Sequence, residues 1–126
     1  MITNINWLEK GRRKKVSYKK RIVITVRKDG SVAFTFLNKA EEKVTKTGYV
    51  QVGLSDDRVY LCLREGAKDN GYKIHASDKC NPNFKIHPKE SDVDVFRKFE
   101  GMHALRFDEE SGAFLMWERS ILNDKA

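Results

Sequence analysis

The feature that most limits what this chain can become is an alternation interrupted by one dipeptide. Ile22, Ile24 and Val26 alternate with Val23, Thr25 and Arg27; after Asp29-Gly30 the period resumes as Val32, Phe34 and Phe36. A period of two puts each apolar set on one face of an extended strand, and Asp-Gly is a dipeptide that tight hairpin turns favour. The segment therefore predicts two antiparallel strands, 21–26 and 32–36, sharing an apolar face. The same grammar returns at Val50, Val52 and Leu54, where "SDD" turns the chain toward Val59, Leu61 and Leu63. It returns once more around Phe107, an Asp-Glu-Glu-Ser-Gly turn, and Phe114 and Met116.

Between these hairpins the spacing lengthens. Leu37, Ala40 and Val44 have helical spacing, with Asn38 as N-cap, Glu41 three residues on, and Gly48 as the stop. "SDVDVFRKFE" predicts a second short helix capped by Ser91, with Val93, Phe96 and Phe99 inward and Val95 off that face. A polar loop with two glycines spans 64–71, Tyr72 to Ile74 reads as a strand fragment, and "DKCNPN" at 78–83 reads as a break. Shifting the chain by 53 positions lays Gly30 on Asn83, Asn38 on Ser91, Glu41 on Asp94 and Gly48 on Gly101. Those coincidences suggest an internal pseudo-duplication with repeats at 21–65 and 72–119. The expected class is α+β and β-rich: a small barrel or a sheet of antiparallel hairpins with two short helices. One domain spans 21–119, after a flexible basic arm over 1–20 and before a tail at 120–126.

Charge is distributed unevenly. Residues 9–28 hold ten Lys or Arg against Glu9, a surplus of +9, while the rest of the chain holds fifteen bases and seventeen acids, a balance of −2. A nearly neutral body with one concentrated basic segment has the electrostatic footprint of a phosphate-binding protein. The expected nucleic-acid contacts are Arg12, Arg13, Lys14, Lys15, Lys19, Lys20, Arg21, Arg27 and Lys28, with Tyr18 as a stacking partner. Arg12 and Arg13 suit bidentate or minor-groove contacts because guanidinium is planar and forked.

The stretch "KDGSVAFTFLNKAEEKVTKTGYVQVGLSDDRVYLCL" at 28–63 resembles the swapped-hairpin domain of AbrB-type transition-state regulators and MazE-type antitoxins. In both, a Gly-led strand enters a short helix and a Gly-led apolar hairpin follows. "NFKIHPKE" at 83–90 is similar to the family's exit from its first strand at a proline. Neither half carries the family's Arg- and Leu-rich helix. The resemblance implies a barrel of two interlocked halves, here in one chain, and DNA contacts that carry over to Arg27 and Lys28, with Lys20 and Arg21 just before them.

Other chemistries find less support. His75, Cys80 and His87 lack common zinc spacing, and Cys62 and Cys80 do not read as a disulfide pair. Asp108, Glu109 and Glu110 fall on a predicted turn, where water keeps carboxylates ordinary. No Ser-His-Asp arrangement, Walker loop or Rossmann fingerprint is present. Most aromatics, Trp117 among them, read as core, while Tyr49, Tyr60 and Tyr72 read as a row on an outer sheet face. The expectation is a non-enzymatic cytoplasmic protein without cofactor, metal or membrane span, acting as monomer or homodimer. Its partner is nucleic acid, DNA before RNA, in a regulatory role of prokaryotic or mobile-element type. The alternative is a protein-binding inhibitor, such as a phage-encoded antagonist of a host defence nuclease, docking its arm on an acidic surface or an RNA-protein complex.

Overall fold

A computed structural model describes residues 19–122. The leading hairpin forms as its alternation dictates: β1 (Arg21–Val26) pairs antiparallel with β2 (Val32–Leu37), placing Ile22 opposite Phe36, Ile24 opposite Phe34 and Val26 opposite Val32. At the turn Gly30 takes φ +87°, a left-handed conformation that costs glycine nothing sterically. The Asp29 carboxylate accepts hydrogen bonds from the Ser31 hydroxyl (2.6 Å) and the Ser31 amide (2.9 Å), which fixes the turn from within.

One helical turn, α1 (Glu41–Val44), leads to β3 (Tyr49–Leu54) and β4 (Leu61–Glu65), a hairpin with Val52 opposite Leu63. Asn38 is not the helix cap expected of it; Asn38 and Lys39 are left-handed (φ 57° and 61°), and Ala40 stands at the cap position. A side chain that hydrogen-bonds locally lets asparagine adopt that conformation at low cost. Val59, expected in the returning strand, stays outside it and 48% exposed.

Beyond the polar loop, β5 (Tyr72–Lys73) pairs with β3, and β6 (His75–Ser77) turns into β7 (Cys80–Ile86). The expected break at 78–83 is thus mostly strand. Pro82, which has no amide hydrogen to donate, is accommodated where the β6–β7 register is irregular. Phe84 and Ile86 face the core opposite Phe34 and Val32. Helix α2 (Glu90–Arg97) starts at a Lys89 cap rather than Ser91 and buries Phe96; Val95 packs on the core, while Val93 lies over Gly30. Strand β8 (Gly101–Ala104) pairs with β1, whereas β9 (Phe107–Asp108) pairs with β10 (Ala113–Met116). A 3-10 turn at Glu118–Ser120 precedes β11 (Ile121–Leu122), so the strand pairing reaches Leu122, beyond the expected domain end.

These strands make two antiparallel sheets, β11-β8-β1-β2-β7-β6 and β5-β3-β4-β10-β9, and no closed barrel. Their inner faces share one core: Ile22, Ile24, Phe34, Phe36 and Phe84 from the first meet Val50, Leu61, Leu63 and Met116 from the second. Phe34 and Phe84 stack with centroids 4.7 Å apart, a cross-strand pair contributing about 0.5–1.5 kcal/mol beyond its buried area. The chain passes between the sheets four times: through α1 between β2 and β3, at Ile74 between β5 and β6, at Leu105–Arg106 between β8 and β9, and through the 3-10 turn between β10 and β11. The crossing at Leu105–Arg106 directly follows Ala104, which pairs with Arg21 at the start of β1.

Candidate nucleic-acid interface

Arg12, Arg13, Lys14, Lys15 and Tyr18 lie outside the described residues. Of the expected contacts within them, Lys19, Lys20 and Arg21 stand at the start of β1, and Arg27 and Lys28 at its far end in the hairpin turn. A strand rises about 3.3 Å per residue, so the two groups are about 20 Å apart and do not form one site.

The two ends have different surroundings. At the start of β1, Arg21 pairs across the sheet with Ala104, and β8 continues from there into Arg106. The Asn38 amide donates to the Lys19 carbonyl (2.8 Å), which brings the exposed Lys39 alongside. Arg21 itself directs Nη1 to the Lys20 carbonyl at 3.3 Å. Lys19, Lys20, Arg21, Lys39 and Arg106 therefore occupy neighbouring elements at one corner, with Glu41 and Glu42 of α1 and Asp108 of β9 as the nearest acids in sequence. At the far end, a surface depression holds Lys28 together with Asp29, His87, Glu90, Asp94 and Arg97, an almost balanced set. Glu100 adds another acid there by accepting the Val26 amide at 2.8 Å, satisfying a backbone group that β8 is too short to reach.

Among the described residues the ion pairs are Arg58–Asp92 (3.7 Å) and Arg97–Asp94 (3.5 Å), and neither involves Lys19, Lys20, Arg21, Arg27 or Lys28. The Asp29 carboxylate, held below its ordinary pKa chiefly by the Ser31 hydroxyl and amide, is committed to its own turn rather than to Lys28. Asp108 behaves likewise, its pKa lowered first by the Ser111 side chain and then by the Ser111 amide. The turn carboxylates are therefore fully ionised structural acceptors.

His103 is fully buried in β8. Its Nε2 lies 2.6 Å from the Phe99 carbonyl, which can only accept, so Nε2 carries the proton. Nδ1 lies 2.9 Å from Ser120 Oγ, and that hydroxyl also stands 2.6 Å from the Trp117 carbonyl while accepting the Trp117 amide at 2.9 Å. Burial pushes the imidazole pKa down, the Phe99 hydrogen bond opposes that shift, and the Arg106 charge adds to it. The network fixes the 3-10 turn and with it Trp117. Arg106 stacks its guanidinium on the indole at 4.9 Å, and Tyr60 meets the ring edge-on at 6.1 Å.

The expected row of tyrosines is thereby split: Tyr72 stacks on Phe84 at 5.9 Å, and Tyr60 belongs with Trp117. Sequence reasoning does not bring Arg106 and Trp117 together, because each is unremarkable in its own segment; only the β1–β8 register and the cation-aromatic contact bring them into view. Cys62 is half-buried, with burial and then the Asp108 charge raising its thiol pKa, and Cys80 is exposed; both are free. Among the described residues no group of three or more His, Cys, Asp or Glu could hold a metal ion, and no helix is long and apolar enough to cross a membrane. Compared with protein families, curated proteins and solved structures, the chain matches none.

Proposed function

We propose that this protein binds nucleic acid in a regulatory, non-catalytic role, with phosphates met by the basic segment and continued onto the corner formed by Lys19, Lys20, Arg21, Lys39 and Arg106. The observation that carries the reading is that the described cations of the basic segment make no ion pair with the protein's own carboxylates. Unpaired lysine and arginine can displace counterions from a phosphate backbone, which gives affinity that falls steeply with salt. The AbrB- and MazE-like reading belongs to the same proposal. In its favour, the hairpins β1-β2 and β7-β6 meet at the β2–β7 pair, and β3-β4 and β10-β9 meet at the β4–β10 pair, an order expected of two related halves.

The test is fluorescence anisotropy of the whole protein with a short DNA duplex and a single strand between 50 and 200 mM salt. Each phosphate contact contributes a slope of about 0.9 in log K against log salt for duplex and about 0.7 for single strands. Five or more contacts predict about a 500-fold loss across that range on duplex. Absence of binding to either probe at 50 mM salt would overturn the reading, and recovery of a protein partner in the same preparation would support the inhibitor in its place.

A further inference from the structure

Two of the exposed large apolar residues, Val59 at 48% and Tyr60 at 39%, sit side by side just before β4. Val59 lines a cleft of about 270 Å³ together with Asp57, Arg58, Lys98, Trp117, Glu118 and Arg119, and Tyr60 meets the Trp117 ring there. Its geometry is fixed from several directions. Asp57 accepts from the Ser55 hydroxyl at 2.6 Å and the Val59 amide at 3.0 Å, which holds the β3–β4 turn. Arg58 stands at φ 61°, uncommon for a long side chain, with Nη1 on the Ser55 carbonyl and Nε facing Asp92. On the other wall Trp117 is locked through Ser120 to the buried His103.

We propose that this cleft is a base-stacking subsite for single-stranded nucleic acid, in which one unpaired base lies against the Trp117 indole and its flanking phosphates meet Lys98 and Arg119. The inference rests on the nucleic-acid reading above and adds to it the kind of strand that is taken. Arg106 covers one face of the indole, and the ring lines the cleft. A base inside a duplex has both faces occupied by its neighbours, so a single half-buried ring lining a surface cleft accepts only an unstacked base. Lys98 and Arg119 outnumber Glu118 and supply the charge complementarity, since Arg58 is already turned toward Asp92 and the Asp57 oxygen Oδ1 toward its own turn. The same crossing at Leu105–Arg106 links this cleft to the corner at Arg21, so one strand can follow both.

The chain has two tryptophans, and replacing Trp7 by phenylalanine keeps an aromatic ring there while leaving Trp117 as the sole indole. Titrating that protein with oligothymidylate should quench its emission and shield it from acrylamide, whereas a blunt duplex should change neither. In the otherwise unaltered chain, Trp117→Leu should weaken oligothymidylate binding about 10-fold, within the range for one base-aromatic stack, and leave duplex binding within about twofold. Should Trp117→Leu fail to fold, the emission of the Trp7→Phe protein decides alone. Binding of both probes with unchanged emission and unchanged acrylamide access overturns the subsite while leaving the nucleic-acid reading intact. No binding of either probe at 50 mM salt overturns that reading and the subsite with it.

Discussion

The two ends of β1 carry similar charge and differ in almost everything else. At Arg27 and Lys28 the cations belong to a tight turn that contains Asp29; Glu90 and Asp94 line the same depression as Lys28, and Glu100 accepts the Val26 amide. At Lys19, Lys20 and Arg21 the neighbours across the sheet are a β8 strand without acids and then Arg106. Local charge density is therefore a poor guide to surface potential, because a sheet brings together residues from about eighty positions away and their sign decides whether a basic run reinforces itself or is neutralised. The β8 strand is what separates the two cases.

Breaking that strand should have the largest effect. Gly101 stands at φ +127°, and a Cβ placed there would lie 2.8 Å from Ile121 Cγ2. Gly101→Ala thus combines a disallowed backbone with overpacking, and is expected to cost about 2–4 kcal/mol in urea unfolding. A loss below 1 kcal/mol would show that β8 is not held as described. The comparison between ends is sharpened next by paired charge reversals: Lys20→Glu with Arg21→Glu is expected to weaken DNA binding about 10- to 30-fold at 100 mM salt and to lower the duplex salt slope by about 1.8. Arg27→Glu with Lys28→Glu should stay within about threefold, and equal losses would erase the distinction.

The smallest expected effect is proton-linked and lies within β8, where His103 stands opposite Ile22. Its folded pKa is lowered from 6.5, with burial the first cause, so below that value the unfolded chain binds more protons than the folded one. Stability should accordingly be complete above pH 6.5 and decline as pH falls toward the lowered folded value, with a limiting slope of about 1.4 kcal/mol per pH unit. Stability should fall between pH 7 and pH 5.5 in the wild type, and the profile should flatten in His103→Gln. Comparable declines in both would place the linkage elsewhere.

Much of the fold could be read before any coordinates. The hairpins at 21–37 and 49–65 are local: period-two apolar residues and their turn chemistry act over a few positions, and Ile24 opposite Phe34 follows from Asp29-Gly30 alone. Helix starts were less legible, since Asn38 takes a left-handed turn and donates to the Lys19 carbonyl, and Ser91 lies inside a helix that begins after Pro88-Lys89. The strand through Pro82 was hidden by its polar composition. The allocation of β8 to one sheet and β9 to the other could not be read from spacing at all, because two residues of linker are compatible with either. For the same reason Trp117 looked like core, although its indole lines a surface cleft against Arg106 and Tyr60.

The position of β1 inside its sheet also has a history in time. Its partner on one side, β2, follows within a dozen residues, but the other, β8, is synthesised some eighty residues later, as the Ile22–His103 register requires. A growing chain therefore displays a hydrophobic ribbon with one unzipped border until nearly its whole length has emerged, and such long-range closure is slow.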